Sequence, residues 1–545
     1  MGDGLLGGEA DCCAAVVVLD GCSIRALKRA RTPVINELVK LGVATFRCRS
    51  VAPTATYTGH ASIVTGATPE VHGIVGNFYY DRGQGRVVWF DVDDVNAHLE
   101  APTIFEWVGA GGCVGEPVTR GAKCKVSKEE VQARDVWRQD DYAVSKAVEM
   151  IEKDRPVLLV INLPGVDGVG ERYGASSREA SKILEEDDKI IGKLQGALEE
   201  CYEDYLLVVT ADHGMTDVRE NIDVEGLLDG LNPVVCASHR FAHIYLKNVE
   251  EAERRLRRDG RFSLILLRSE AAKLSLQNPR VGDLMVAAKP GYEISKQKLR
   301  GSHGGLTRDE VLVPLVVSKP EYADVVRDGA SITDVAGIIR RYLVERKCVR
   351  EAKRLLSGVD SAHGWEHVER VLAYSTRLAL RYGANVEAVR LASVLHDVGK
   401  GVLEADHVEE SVNVAASLLR GVLPAGVLEK VLSAISSHHT DRPEGLMGLE
   451  EAILWDCDKL DALGAVGLAR CLEEEGWKGG SINSALKHLN RDTEMFALRM
   501  HFRETRRLAK LKVKWSKQVV KMLAREVNWL SNHLAKIFIN ARLHS

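Results

Sequence analysis

The stretch AAVVVLDG, Ala14–Gly21, is an unbroken apolar run that ends in an aspartate and a glycine. Apolar runs without alternation are typical of strands that are buried on both faces of a parallel sheet. Val157–Leu163 and Leu206–Thr210 repeat the pattern, and each leads directly into polar residues. Because ligand sites of parallel sheets gather at the carboxyl ends of the strands, the aspartates that follow these three runs are expected to lie close together.

The pattern of strand-like and helix-like segments changes near residue 345. Before it, strand-like runs alternate with amphipathic helices such as Pro33–Leu41, which predicts an α/β doubly wound sheet. After it, strand-like runs vanish, which predicts an all-α helical bundle. Three segments there have helical spacing: Val386–Leu395, Val427–Ile435 and Leu508–Asn528. Because Thr333–Leu343 is expected to be the closing helix of the first domain, we predict domains over residues 1–345 and 346–545.

Composition and charge set the protein class. The chain has 545 residues, of which 45% are hydrophobic and 28% charged, and these values exclude disordered and collagen-like proteins. Its 73 basic and 77 acidic residues disfavour a nucleic-acid partner but leave one open. No run approaches the roughly 18–20 apolar residues of a membrane span, and no cationic leader is visible, so no membrane contact is expected. The 11 scattered cysteines are expected to be reduced thiols, which predicts the cytoplasm.

The first half carries the residue types that a phosphate-cleaving metal site needs. Such a site holds divalent cations, often two about 4 Å apart, with carboxylates and imidazoles, and it activates an oxygen nucleophile. A single strand-end aspartate is often only a helix N-cap, but the joint occurrence of these residues favours a site. The candidates are Asp20, Thr56, Asn77, Asp167, Asp212, His213 and His303.

The order of these motifs resembles the alkaline phosphatase superfamily, specifically its nucleotide pyrophosphatase/phosphodiesterase branch, over residues 14–343. The most specific pieces are PTATYTGHASIVTGATPEVHGIVGN (Pro53–Asn77) and TADHGM (Thr210–Met215). The resemblance implies that Thr56 is a nucleophile that becomes phosphorylated or nucleotidylated, and that Asn77 binds a phosphate oxygen. It also implies two metal ions, zinc or manganese. The first metal site would consist of Asp20, Thr56, Asp212 and His213, and the second of Asp167, the residue at 171 and His303.

One position departs from the family pattern. The family has D-x-x-G-H, whereas Asp167 is followed here by Gly-Val-Gly-Glu, so that Glu171 stands at the histidine position. A carboxylate is a harder ligand than an imidazole, so we expect Glu171 to ligate and to shift the preference from zinc toward manganese or magnesium. The alternative is that Glu171 turns away and the site holds one metal.

The segment between Met215 and His303 is expected to form a cap over the site, where substrate choice is often made. Its polar candidates are His239, Arg240 and His243. We interpret these three as ordinary surface residues.

The second half contains an ordered series of histidines and aspartates on helical segments. It includes HGWEHVERV (His363–Val371), LHDVGK (Leu395–Lys400) and DKLDALGAVG (Asp458–Gly467). Neighbouring helices can bring such residues to one metal in the core of a bundle. Over about residues 350–530 the series resembles the HD-domain metal-dependent phosphohydrolases, a group that includes nucleotide pyrophosphohydrolases.

This second resemblance implies one or two ions of manganese, magnesium or iron. The ligands of the first ion would be His367, His396, Asp397 and Asp458. A second ion would be held by His407 and His438, with His439 as the alternative to His438. Lys400 would contact a phosphate.

Together the two halves predict a bifunctional metal-dependent phosphohydrolase that cleaves phosphodiester or pyrophosphate bonds of nucleotides or similar phosphate esters. The first domain would act through a covalent intermediate on Thr56, and the HD domain through a metal-bound water. The alternative is a phosphonate or organophosphate hydrolase whose HD domain is a nucleotide-sensing regulatory module. The expected partner is a small-molecule nucleotide or phosphate ester, and no feature of the sequence indicates an oligomeric state.

Overall fold

The computed structural model describes residues 11–359, 363–402, 407–439 and 447–543. The ends of the two expected domains, residues 1–10 and 544–545, lie outside the described residues. By its internal contacts the chain divides into two units, Met1–Leu343 and Val344–Ser545. No helix among the described residues is long and apolar enough to cross a membrane.

A seven-stranded sheet organises the first unit. In spatial order its strands are Val43–Arg49, Leu312–Val317, Asp204–Thr210, Cys12–Leu19, Leu158–Leu163, Gly111–Val114 and Cys124–Val126. Cys12–Leu19 is buried throughout and pairs in parallel with both neighbours. Leu312–Val317 is antiparallel to both of its neighbours. The α/β class is therefore confirmed, although the sheet is mixed rather than wholly parallel.

Helices pack against this sheet and complete the unit. Gln139–Asp154 contacts the strand Leu158–Leu163, and Arg178–Cys201 contacts Asp204–Thr210. Two short 3-10 helices lie at Arg268–Leu274 and Pro320–Tyr322. The other helices of this unit are Ile24–Leu27, Pro33–Leu41, Thr56–Thr65, Pro69–His72, Val95–His98, Ile104–Val108, Lys128–Gln132, Gly165–Tyr173, Val224–Leu227, Val249–Asp259 and Arg308–Val311.

The expected cap has a core of its own. Its four-stranded antiparallel sheet has the order Val234–Ser238, Phe241–Tyr245, Leu284–Ala288 and Phe262–Leu267. The helix Val249–Asp259 packs on this sheet through Ala252 and Leu256. Five shorter strands complete the unit: Phe78–Asp81, Arg86–Trp89, Thr216–Asn221, Gly291–Glu293 and Gly301–Ser302.

The described part of the second unit is helical and contains no strand, as predicted. One predicted helix, Val386–Leu395, has the observed bounds. The other helices are Trp365–Tyr382, His407–Leu419, Ala425–Ser437, Leu449–Asp461, Gly464–Trp477, Ile482–Arg499 and Arg503–Leu543, with a 3-10 turn at Val398–Gly401.

The predicted end of the helix at Leu343 is wrong. The helix runs from Asp334 to Leu356, because residues 344–356 are rich in strong helix formers and the next glycine is Gly358.

Candidate metal centres

Asp20 and Asp212 follow neighbouring strands, so their carboxylates meet at one edge of the sheet. Asp212 Oδ1 accepts hydrogen bonds from the backbone N–H groups of Gly21 (3.2 Å) and His213 (2.8 Å). Gly21 has φ 72°, and a Cβ at this position would lie 2.9 Å from Asp167 Oδ1. Glycine is required here because it permits both the left-handed backbone and the close approach of a third carboxylate.

Thr56 is the first residue of its helix, and its Oγ1 lies 3.3 Å from His213 Nε2. His213 Nδ1 is 3.1 Å from the Gly214 carbonyl oxygen, and His303 Nδ1 is 2.9 Å from that of Thr54. Both rings therefore donate from Nδ1, which leaves the Nε2 lone pairs for the cluster. The two rings stack with their centroids 3.8 Å apart.

The electrostatics of the cluster favour a bound cation. Burial raises the pKa of Asp167 well above its usual value, and the charges of Glu171 and Asp20 raise it further. Burial and the charge of Asp20 likewise raise the pKa of Asp212. Burial lowers the pKa of His213 to about 4, so this ring is neutral and able to ligate. Crowded carboxylates beside neutral imidazoles are stabilised by a divalent cation.

Unpaired buried atoms test whether these residues fit a metal pair. Oδ1 of Asp20, Oδ1 of Asp167 and Oδ2 of Asp212 are buried and have no hydrogen-bond partner among the described residues. Unpaired buried carboxylate oxygens are costly unless a cation occupies the space between them. Three groups have ligand atoms within 4.8 Å of one another: Asp20, Asp212 and His213; Asp167, His213 and His303; and Glu171, His239 and His303. The donor set therefore fits two divalent ions.

A cavity of about 360 Å³ opens onto this cluster and is lined by Thr56, Asn77 and Glu171. Asn77 is held by the hydrogen bond from its N–H to Ser238 Oγ (2.9 Å) and by the one from Tyr57 N–H to its Oδ1 (3.3 Å). Its side-chain NH₂ is therefore the group left to face a ligand. Burial and the charge of Glu293 raise the pKa of Glu171 to about 7.

The surface interpretation of the three cap residues is wrong. Arg240 and His243 are fully buried. Arg240 Nε forms an ion pair with Glu310 Oε1 at 2.8 Å, and His243 Nε2 lies 2.9 Å from the Val75 carbonyl oxygen. His239 lines the cavity that opens onto the metal-ligand cluster. The sequence carries no spacing that would reveal these contacts, because each joins segments that are distant along the chain.

His60 is a buried residue of this site that sequence reasoning missed. It lies one helical turn after Thr56, with its Nδ1 2.8 Å from Glu116 Oε2. Its Nε2 is 3.9 Å from Asp20 Oδ2 and 3.8 Å from Asp212 Oδ2. The i+4 spacing from Thr56 is the signal that would have found it.

In the second unit, the residues of the first HD site come together from three helical segments. His367 Nε2 lies 3.2 Å from His396 Nε2, 3.3 Å from Asp458 Oδ1 and 3.8 Å from Asp397 Oδ2. His396 donates from Nδ1 to the Ser393 carbonyl oxygen at 2.8 Å, so its Nε2 lone pair faces the site. Burial lowers the pKa of His396 to about 3, which keeps this ring neutral.

Asp397 lies between this group and a second one. Its other oxygen, Oδ1, is 3.4 Å from His438 Nε2. Asp397, His407 and His438 form a group whose ligand atoms lie within 4.8 Å of one another, and the buried His407 Nε2 has no hydrogen-bond partner among the described residues. The exposed His439 is outside this group. The arrangement suits two ions that share Asp397 and use His438 rather than His439.

Lys400 contacts the site through its ammonium group. Its Nζ donates to Asp397 Oδ2 at 2.8 Å. Burial by itself would raise the pKa of Asp397, but the positive charge of Lys400 and the neighbouring His396 hold it well below its usual value. The ammonium therefore neutralises the carboxylate that a metal ion would also neutralise.

Comparisons with known proteins identify both halves of the chain. The family model described as type I phosphodiesterase / nucleotide pyrophosphatase matches residues 14–306, and the HD domain model matches residues 364–463. Both resemblances are thereby confirmed.

Curated relatives match part of the chain. An uncharacterized pyrophosphatase/phosphodiesterase of Schizosaccharomyces pombe is 28% identical over 246 residues, which cover 42% of this chain and 49% of that protein. Ectonucleotide pyrophosphatase/phosphodiesterase family member 1 of Homo sapiens is 30% identical over 209 residues, 34% of this chain and 21% of that protein. The chain thus spans half or less of the length of these relatives.

Solved structures match the fold of the first unit. Murine ectonucleotide pyrophosphatase/phosphodiesterase 5 is 22% identical, with a TM-score of 0.52 and coverage of 61% of this chain and 94% of that chain. Phosphonoacetate hydrolase from Sinorhizobium meliloti 1021 is 23% identical, with a TM-score of 0.51 and coverage of 61% and 95%.

Proposed function

Because the chain belongs to the type I phosphodiesterase/nucleotide pyrophosphatase family and also carries an HD domain, we propose that it is a metal-dependent phosphoester hydrolase with two active sites. One site would act within residues 1–345 and the other within residues 346–545. The substrates would be nucleotides or similar phosphate esters. The names of the relatives support this class, as does a murine relative whose inactive variant was solved in complex with AMP.

One observation carries the proposal for the first site: Thr56 Oγ1 lies 3.3 Å from His213 Nε2, beside the unpaired carboxylate oxygens of Asp20 and Asp212. Two zinc or manganese ions would be held by Asp20, Thr56, Asp212 and His213, and by Asp167, Glu171 and His303. When bound, such ions lower the pKa of a ligating hydroxyl group and neutralise charge on the phosphate.

The chain's own residues would then act in two displacements. Thr56 Oγ1 gives up its proton to solvent water and attacks phosphorus, and the leaving oxygen departs with the electron pair of the broken phosphorus–oxygen bond. Asn77 donates a hydrogen bond to a non-bridging oxygen as negative charge builds up there. Water attacks the same phosphorus in the second step and releases Thr56.

The HD site would act in one step. His367, His396, Asp397 and Asp458 would hold one manganese, magnesium or iron ion, and Asp397, His407 and His438 a second. A water molecule in the site would attack phosphorus without a covalent intermediate. We propose that Lys400 exchanges Asp397 for a phosphate oxygen when a cation neutralises this carboxylate.

A substrate panel on full-length variants tests both halves of the proposal. Thr56→Ala should abolish one set of hydrolytic activities and Asp397→Ala the other, each with manganese, magnesium or zinc present. If neither variant changes the hydrolysis of any nucleotide or phosphodiester, the proposed function is wrong. Turnover of phosphonates without any turnover of nucleotides would instead favour the phosphonate alternative.

We further propose a reducing compartment, the cytoplasm. None of the 11 cysteines, all of which lie among the described residues, is disulfide-bonded, and six of the eight in the first unit are buried. Buried unpaired thiols are typical of proteins of the reducing cytoplasm. Fractionation of cells that express the chain at its native level would test this location.

A further inference from the structure

We infer that His239, at a hairpin turn of the cap, is a ligand of the second metal site and supplies the imidazole that Glu171 replaces. The inference rests on the proposed function, because it takes Asp167 and His303 as ligands of a metal ion. It assigns a role to a residue that lies far along the chain from the D-x-x-G-H position.

The backbone presents His239 to the site. Ser238 pairs with Phe241 across the hairpin, so His239 and Arg240 alone form the turn. His239 has φ 56°, a left-handed conformation that non-glycine residues seldom adopt. Such a conformation is retained where the surrounding structure fixes it, and it is often found at functional sites.

Arg240 fixes the turn against the segment that carries His303. Its backbone N–H donates to the His303 carbonyl oxygen at 2.9 Å. Its guanidinium forms the buried ion pair with Glu310, whose carboxylate also accepts from the N–H of Gly305 at 2.8 Å. The turn and the segment around His303 are therefore held as one unit, which sets the distance between the two imidazoles.

The side chain of His239 meets the second metal site directly. Its ring centroid is 4.1 Å from that of His303, and its Nδ1 is 3.7 Å from Glu171 Oε1. This Nδ1 is buried and has no hydrogen-bond partner among the residues that the structure describes. Glu171, His239 and His303 offer ligand atoms within 4.8 Å of one another. A cation at this point would satisfy the nitrogen and both neighbours.

An ion pair between His239 and Glu171 is the competing explanation. The 3.7 Å between His239 Nδ1 and Glu171 Oε1 is longer than a hydrogen bond, and this nitrogen has no hydrogen-bond partner among the described residues, so the two groups are not paired directly. A separation of this size between an imidazole nitrogen and a carboxylate oxygen suits a cation that both groups ligate. With His239 included, the second site has two imidazoles and two carboxylates, and so retains the nitrogen donors that zinc prefers.

Zinc content of the full-length protein tests the inference. The variant is His239→Gly, because glycine removes the imidazole and accepts the left-handed backbone. We expect it to keep the metal-free thermal midpoint, to lose about one equivalent of zinc measured by elemental analysis, and to bind the remaining zinc as the wild type does. His98→Ala removes an imidazole of the same unit that contacts Tyr79 rather than the cavity, and it should retain all zinc.

A second variant provides a rescue. Glu171→His in the His239→Gly background restores an imidazole from the family position, and it should recover the lost equivalent. Retention of all zinc by His239→Gly, at unchanged affinity, would overturn the inference. The inference would also be overturned if Glu171→His did not restore zinc to the His239→Gly variant and the control His98→Ala lost zinc as well, because the loss would then not be specific to His239. The proposed function fails separately if His303→Ala and Asp212→Ala both bind as much zinc as the wild-type protein.

Discussion

Asp461 is the residue that orients the first ligand of the HD site. Its buried carboxylate accepts a hydrogen bond from His367 Nδ1 at 2.8 Å, and others from Arg370 Nε at 2.8 Å and Arg470 Nη1 at 3.0 Å. Because Nδ1 carries the proton, the Nε2 lone pair of His367 faces the candidate metal site, where Asp458 Oδ1 lies 3.3 Å from Nε2. Asp461→Asn introduces an amide that can donate to Nδ1 and so favours the wrong tautomer.

The size of the expected loss of metal affinity in Asp461→Asn follows from these contacts. Loss of a partner that orients a metal-ligating histidine typically costs about 10–100-fold in metal affinity, or roughly 1.4–2.7 kcal/mol. Asp461 is only 4% exposed and its carboxylate also neutralises two arginines, so no water can take its place easily. We therefore expect the manganese dissociation constant of the HD site to rise by about 30–100-fold.

Calorimetric titration of the full-length protein with manganese measures this change, and the sites of the first unit serve as an internal reference. The matched control is Asp456→Asn, a buried carboxylate on the same helix that accepts from the N–H groups of His501 (2.9 Å) and Phe502 (3.1 Å). This control should lose about 1–3 kcal/mol of stability but keep its manganese affinity within about threefold. Equal losses of affinity in the two variants, or none in Asp461→Asn, would refute the orienting role.

Three further predictions concern the first unit. Glu310→Ala leaves a buried arginine without its partner and should lower the free energy of unfolding by about 3–5 kcal/mol in urea, whereas Asp309→Ala, which removes an exposed carboxylate, should cost less than about 1 kcal/mol. Glu171→His should raise the preference for zinc over manganese in a competition titration, and an unchanged preference would mean that Glu171 is not a ligand. Burial and the charge of Asp140 raise the pKa of Asp187 in the folded protein. The protonated side chain therefore stabilises the fold fully below about pH 4, and this stabilisation is lost as the pH rises through the pKa of Asp187 in the folded protein. Asp187→Asn should therefore be more stable than the wild type at pH 8 but not at pH 4, and equal pH profiles would contradict this.

The sequence predicts those features that depend on local pattern and on strand order. Unbroken apolar runs predict the strands before Asp20 and Asp212, and the rule that ligand sites gather at strand ends predicts that their carboxylates meet. The helix Val386–Leu395 is likewise encoded by its own apolar spacing. The resemblance to known families adds the residue roles, which spacing cannot supply.

Features that depend on distant contacts could not be predicted in this way. His239 reaches the cavity only because a hairpin turn packs against the segment around His303. Arg240 looks like a surface residue until its partner Glu310, 70 positions later, is placed beside it. The end of a helix is also weakly encoded when strong helix formers continue past the last residue of a domain, as they do after Leu343.

The covalent role of Thr56 is the central claim, and mass spectrometry of the acid-quenched enzyme tests it most directly. The full-length protein is mixed with a nucleotide phosphodiester and manganese, quenched with acid during turnover, and digested for peptide mapping. We predict that the peptide with Thr56 gains the mass of a nucleotidyl group, that Thr56→Ala carries no such mass, and that its activity falls by more than about a thousandfold. An unmodified Thr56 during turnover, with a loss below about tenfold (~1.4 kcal/mol) in Thr56→Ala, would mean that water attacks phosphorus directly and would contradict the account.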